Sequence, residues 1–125
     1  MKAFTDIEQS KKLAEILPLE SADFFWIIGH LHTDGPRYAI IRPRNEVSEV
    51  EKYWPCWSLA ALRSLLPCGI KVNGELHLFE SHNTFDEAWV YQYVLGDSTV
   101  FYFKAKYEID ACYEMILKLH KEGLL

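Results

Sequence analysis

The chain has 125 residues, half of them hydrophobic, and 18 acidic against 13 basic side chains give it a net charge of −5. This length is typical of one domain with its own hydrophobic core, so we expect a single domain over residues 1–125. The acidic balance argues against nucleic-acid binding, and the longest apolar stretch, Phe24–Gly29, is far shorter than the ~20 residues of a membrane-spanning helix.

The N-terminal residues and the cysteines indicate the compartment. The sequence begins MKAFTDIEQSKKL, which carries charges where a secretory signal has an apolar run, so we expect no such signal. The three cysteines, Cys56, Cys68 and Cys112, are odd in number and form no Cys-x-x-Cys pair. Reduced thiols in a cytoplasmic protein without a cofactor are the simplest interpretation.

The first half of the chain predicts a helix followed by a hairpin. Thr5-x-x-Glu8 has the form of a capping box, and a helical apolar period predicts a helix over 6–17, which Pro18 ends. Aromatic and β-branched residues over Asp23–His32 predict a buried strand. The turn residues that follow lead to a second strand over Tyr38–Arg42, so the two strands are expected to form an antiparallel hairpin.

The second half predicts a helix, two hairpins and a last helix. The predicted elements are a helix over Leu59–Leu66 capped by Ser58, a hairpin over Ile70–Leu78 turning at Asn73-Gly74, a hairpin of Trp89–Leu95 with Thr99–Lys104, and a helix over Asp110–Glu122. The segment Pro43–Pro55 has no clean period and is predicted to be a long loop. Together these elements predict an α+β fold: a mostly antiparallel sheet of about six strands with three helices packed on one face.

Three segments carry a family resemblance: FTDIEQSKKLAEILPLESAD (Phe4–Asp23), WPCWSLAALRSLLP (Trp54–Pro67) and IDACYEMILKLHKEGLL (Ile109–Leu125). They resemble a family of short uncharacterised bacterial proteins met among prophage and mobile-element genes of gut bacteria. The Pro-x-Trp-Ser-Leu-x-x-Leu core of the middle segment is the most specific part. The resemblance transfers no catalytic residue to this chain, and it implies a cytoplasmic accessory protein of a mobile element.

The run GHLHTDG (Gly29–Gly35) is the candidate metal site. His30 and His32 alternate as on one face of a strand, so both imidazoles could reach one ion, with Asp34 as a third ligand. The run resembles part of the His-x-His-x-Asp-His motif of metallo-β-lactamase-type hydrolases and the His-x-His-Thr…Asp-Gly signature of PHP-type phosphoesterases. Gly35 stands where the first motif has its last histidine, and both families need a longer chain. A plain hairpin tip explains the same residues.

Cys56 is the candidate nucleophile. It precedes a predicted helix N-terminus, which can lower a thiol pKa and favour the thiolate. No histidine is placed beside it by any motif, and a small buried thiol filling space in the core is the alternative.

The candidate binding residues lie around the long loop: Tyr53, Trp54, Trp57, Arg42 and Arg44. Aromatic rings flanking a proline are typical of interfaces, and arginines can bind a carboxylate or phosphate through two hydrogen bonds. The alternative is that the tryptophans belong to the core and that the arginines pair with nearby glutamates. Both alternatives stay open at this point.

The last hairpin is rich in aromatic residues on both faces. Either the core takes them all, or one face meets the helices and the other a partner. We therefore expect a non-catalytic cytoplasmic binding or interaction module that forms a homodimer or binds another protein. The alternative is a small metal-dependent hydrolase that uses His30, His32 and Asp34.

Overall fold

The structure, a computed structural model, describes residues 2–30, 37–48 and 54–125. Within these ranges the chain forms three α-helices and seven β-strands, and every strand pair is antiparallel. This confirms the α+β class. The strands form a sheet of three and a sheet of four rather than one sheet of about six. The difference has a physical reason, because strand pairing between distant segments leaves no local pattern in the sequence.

The elements in chain order are α1 (Ile7–Ala14), β1 (Phe24–His30), β2 (Arg37–Pro43), β3 (Trp54–Cys56), α2 (Leu59–Ser64), β4 (Gly69–Val72), β5 (Glu75–Asn83), β6 (Trp89–Leu95), β7 (Ser98–Ala105) and α3 (Glu108–Lys121). The chain divides into two compact units. The N-terminal unit is Phe4–Ala61, and the C-terminal unit is Leu62–Leu125 together with Lys2 and Ala3. The expectation of one domain over the whole chain stays a prediction.

The N-terminal unit contains the predicted hairpin, with β1 between β2 and β3. Helix α1 has a capping box, but it is formed by Asp6 and Gln9 rather than by Thr5 and Glu8. Thr5 cannot serve as the cap because its buried hydroxyl bonds to the Ser10 hydroxyl and accepts from the Trp57 N–H. The capping motif was therefore predicted one residue too early.

Helix α2 begins at the predicted cap. The Ser58 hydroxyl accepts a 3.1 Å hydrogen bond from the Ala61 N–H. Asp23, just before β1, accepts from the Ser58 N–H at 2.9 Å and from the Ser58 hydroxyl at 2.5 Å. The Asp23 carboxylate therefore holds Ser58 in its capping position, and its negative charge at the start of the helix interacts favourably with the helix dipole.

The C-terminal unit is built on a meander of β4, β5, β6 and β7. Asn73 and Gly74 join β4 to β5 with φ of 54° and 80°, as the predicted type I′ turn requires. Gly96, with φ of 58°, opens the two-residue turn between β6 and β7. Sequence-local turns therefore set the register at two of the three hairpins of this sheet.

Helix α3 packs on β6 and β7 of this sheet. Its buried side chains recur at helical spacing and form one apolar face: Ile109, Ala111, Cys112, Met115, Ile116 and Leu119. Gly123 follows the C-cap residue Glu122, and its φ of 72° is the left-handed conformation that favours glycine at this position. In the part of the chain that the structure describes, no helix combines the length and the apolar character needed to cross a membrane.

Candidate binding surface

The four-stranded sheet has one face covered by α3 and an opposite face that is exposed at Leu76 and Leu78 but not at Val90, which is 1% exposed. Along β5 the side chains alternate between the two faces. His77 is 3% exposed and Phe79 is half-buried, while Leu76 and Leu78 are 51% and 55% exposed. The Phe79 ring contacts the buried Tyr91 and Tyr93 rings of β6 at centroid distances of 5.2 and 5.5 Å. The face with Phe79 is therefore the inner face beneath α3, and the face with Leu76 and Leu78 is the outer face.

An apolar patch lies on the outer face. Leu78 is directly opposite Val94 of β6, and Tyr102 of β7 is opposite Gln92, one position along the same face. Tyr102 is 54% exposed and Val94 is half-buried. We call Leu76, Leu78, Val94 and Tyr102 the outer patch.

Charged residues surround the outer patch. Lys71 of β4 is opposite Leu76, and Glu80 of β5 follows Leu78 on the same face. Lys104 of β7 lies beyond Tyr102 and pairs with Asp86 at 3.1 Å. These side chains are exposed and carry both signs of charge. An apolar centre with a mixed polar rim is the usual composition of a protein–protein contact.

The inner face contains a partly buried polar network. The Tyr91 hydroxyl donates to a Glu108 carboxylate oxygen at 2.6 Å, and Arg63 donates to the same oxygen at 3.0 Å. Arg63 also donates to the Ser81 hydroxyl at 3.0 Å. Burial, and next the Glu108 hydrogen bond, raise the pKa of Tyr91. The phenol therefore stays a hydrogen-bond donor, and the network joins the C-terminal end of α2 to β6 and α3.

The buried thiols are poor nucleophiles. Cys56 is fully buried, and burial is the main reason that its pKa rises from 9.0 to about 11. Burial likewise raises the pKa of Cys112 to about 12. A thiol that keeps its proton at neutral pH does not supply the thiolate that nucleophilic catalysis needs. The structure thus favours the core-filling interpretation of Cys56.

The two tryptophans predicted as binding residues differ in their burial and contacts. Trp57 is 0% exposed and donates its indole N–H to Ser21, so it belongs to the core. Trp54 is half-buried opposite Trp26, with the Lys11 ammonium 5.4 Å from its ring centroid.

The two predicted arginines also differ. Arg44 donates hydrogen bonds to the Leu19 and Ala22 carbonyls, so its guanidinium holds the segment before β1 in place within the N-terminal unit. Arg42 is exposed, while Tyr53 lies outside the described residues. The long loop is therefore a weaker candidate surface than the outer patch.

The predicted metal site falls mostly outside the described residues. His30 ends β1, where its backbone pairs with Arg37, as a hairpin requires. His32 and Asp34 are not among the described residues, so the metal hypothesis stays a prediction. In residues 2–30, 37–48 and 54–125, no three histidine, cysteine or carboxylate side chains lie close enough together to hold a metal ion.

Sequence reasoning did not identify Leu76 and Leu78 as site residues. The alternation Leu76-His77-Leu78 places both leucines on one face, but their exposure depends on which face α3 covers.

We found no match to the chain among protein-family models, curated proteins or solved structures.

Proposed function

We propose that this protein is a non-catalytic binding module that contacts another protein through the outer patch. The observation that carries the proposal is the exposure of Leu76, Leu78 and Tyr102, each above 50%, on the sheet face opposite α3. Contiguous apolar surface is costly to leave in water, and in monomeric proteins it often marks an interaction site.

The shape and charge of the patch favour a protein partner. The exposed leucines supply apolar area, and the tyrosine supplies a rigid ring with a polar hydroxyl, which is typical of binding surfaces. Lys71 and Glu80 beside the patch offer a partner one charge of each sign. The net charge of −5 disfavours a nucleic acid or an anionic membrane.

The cellular role is part of the same proposal. The resemblance of Phe4–Asp23, Trp54–Pro67 and Ile109–Leu125 to mobile-element proteins supports an accessory role for a phage or another mobile element. The unpaired, reduced thiols support a cytoplasmic location. The raised pKa values of Cys56 and Cys112 support a role without covalent catalysis.

Site-specific photo-cross-linking tests the proposal. A benzophenone amino acid replaces Leu78 in one variant and Glu114, exposed on α3, in a matched control. The expected result is a discrete adduct with one protein from position 78 and none with that protein from position 114. Equal yields from both positions, or no adduct from position 78, would contradict the proposal.

A further inference from the structure

We propose that the free edge of β2 binds an extended, acidic segment of another protein, which adds to the three-stranded sheet as a fourth strand. This edge belongs to the N-terminal unit, whereas the outer patch belongs to the C-terminal unit. The inference therefore goes beyond the proposed function and does not depend on it.

The hydrogen bonds of the β1–β2 hairpin show which backbone groups of β2 point outward. The Arg44 N–H donates to the Asp23 carbonyl at 3.0 Å, and this pair continues the register of the hairpin. Opposite residues of an antiparallel pair alternate between hydrogen-bonded and non-hydrogen-bonded positions. Counting back from Arg44, the residues of β2 that bond to β1 alternate with Ile41 and Ala39. The N–H and C=O groups of Ile41 and Ala39 therefore point away from β1.

These outward groups are available to another backbone. The strand order places β2 at the end of its sheet, with β1 as its neighbour. Among the described residues, no loop or turn forms a backbone hydrogen bond with Ala39 or Ile41. Ala39 is exposed and Ile41 is half-buried. Unpaired N–H and C=O groups along a strand edge are a template for another extended chain, so the edge itself specifies the conformation of its occupant.

The other edges of the two described sheets are protected against such pairing. β3 has three residues with Pro55 in the middle, and β4 has four residues. At β7 the register with β6 shifts, and Phe101 has a φ of 53°. Short strands, prolines and bulges all hinder edge-to-edge pairing. By contrast, β2 pairs with β1 over seven residues without a register shift, and its proline, Pro43, stands at the last position.

The charge at this edge favours an acidic partner. Arg42 is exposed, and within the described residues its guanidinium has no hydrogen-bond or ion-pair partner. Arg44 follows β2 and donates to carbonyls rather than to a carboxylate. An Asp or Glu opposite Arg42 on an added strand would form a cross-strand ion pair, whereas a second copy of the chain would bring the same arginines to the contact. The charge therefore favours a different protein over a second copy.

The other side chains of β2 determine the rest of the partner's pattern. Ile40 and Ile41 lie on opposite faces of the sheet, beside the half-buried Ile27 and Trp26 of β1. β-Branched or aromatic residues on the added strand would extend both apolar faces. The small, exposed Ala39 leaves room for a large side chain opposite it. We therefore expect a short segment of β-branched and aromatic residues around one acidic residue, bound weakly because the contact is small.

Selection from a displayed library of random peptides on the immobilised full chain provides the probe. The enriched peptides should contain Asp or Glu within a run of β-branched or aromatic residues. The tightest of them, made synthetically, should slow the hydrogen exchange of the Ala39 and Ile41 amides, because those N–H groups become bonded. A selection without such peptides, or a selected peptide that leaves the exchange of both amides unchanged, would overturn the inference. The same protection without peptide, in a dimer of the chain, would assign the edge to a second copy and would also overturn it.

Two variants at Ala39 test the backbone pairing. Ala39→Pro removes an outward N–H without removing a hydrogen bond to β1, and it should weaken binding of the selected peptide at least about tenfold. Ala39→Ser keeps the N–H and should bind the peptide like the wild type. Unchanged amide spectra away from β2 would show that both variants fold. Equal affinities of the two variants would contradict the pairing.

Charge reversal tests the acidic preference. Arg42→Glu should weaken binding of the selected peptide at least about tenfold, and a peptide with Lys in place of its acidic residue should restore it. Lys12→Glu makes the same charge change at an exposed position of α1 and should bind like the wild type. Full affinity of Arg42→Glu for the acidic peptide would overturn the inference. Leu78→Lys, in the outer patch, should bind the peptide normally, so failure at one surface is distinguishable from failure at the other.

Discussion

The Tyr91 hydroxyl and the Glu108 carboxylate are 2.6 Å apart and join β6 to the first turn of α3. Glu108 is only 14% exposed at its side chain, and Arg63 donates to the same oxygen. A hydrogen bond to a charged carboxylate therefore holds α3 on the covered face of the sheet, in addition to apolar packing.

Removal of the Tyr91 hydroxyl should destabilise the fold. Tyr91→Phe leaves the half-buried Glu108 carboxylate without one of the two donors described above, so we expect the free energy of unfolding to fall by about 2 kcal/mol. Urea denaturation measures the change. Tyr102→Phe removes the same atom from a residue that is 54% exposed, and should change stability by less than about 0.5 kcal/mol. Equal effects of the two variants would show that the network contributes no stability.

Alkaline pH should destabilise the protein through its buried thiols. In the unfolded chain Cys56 loses its proton near the ordinary pKa of 9.0, whereas the folded chain holds it up to about 11. The contribution of the thiol is fully present below pH 9 and is lost as the pH rises to about 11, at about 1.4 kcal/mol per pH unit.

The slope of stability against pH measures this effect. Between pH 9 and about 10.5, the unfolding free energy of Cys56→Ala should fall less steeply with pH than that of the wild type. The difference between the two slopes should correspond to the release of about one proton on unfolding. Cys112→Ala should behave in the same way, since burial raises that pKa to about 12. The comparison uses slopes because each variant also changes core packing. Parallel slopes for all three proteins would contradict the assignment.

The cap of α2 should depend on Asp23. Asp23→Ala removes the acceptor of both the Ser58 N–H and the Ser58 hydroxyl, and we expect a loss of about 2 kcal/mol in unfolding free energy. Ser58→Ala should cost about 1 kcal/mol through the lost cap. Because the two residues share hydrogen bonds, the double variant should lose less than the sum.

A matched surface variant controls for the loss of a carboxylate. Glu114→Ala, at an exposed position of α3, should change stability by less than about 0.5 kcal/mol. Strict additivity of Asp23→Ala and Ser58→Ala, measured by the same denaturation, would mean that the two side chains act independently.

Local signals in the sequence predicted the elements that local chemistry determines. The apolar period predicts a last helix over Asp110–Glu122, and α3 runs from Glu108 to Lys121. Asn73-Gly74 predicts a type I′ turn because both residues must adopt positive φ, and they do. In each case the determining residues lie in one continuous stretch of the sequence.

Long-range contacts account for what the sequence did not predict. β3 has only three residues, too few for any period, and it exists because Phe24 and Trp26 of β1 pair with it. The capping box moved to Asp6 because Thr5 is bonded to the distant Trp57. The exposure of Leu76 and Leu78 likewise depends on α3, some thirty residues along the chain. Whether a sheet face is exposed depends on which elements pack on it, so an exposed face has no sequence pattern of its own.

The most direct test of the proposed function uses the partner protein that cross-links to position 78. Once that partner is purified, its affinity is measured for the wild-type chain and for the Leu78→Lys variant. Leu78 is 55% exposed, so the variant should retain its unfolding free energy within about 0.5 kcal/mol. Placing a charge in the centre of the contact should weaken binding at least about tenfold. Unchanged affinity in a correctly folded Leu78→Lys protein would contradict the claim that the outer patch is the binding surface.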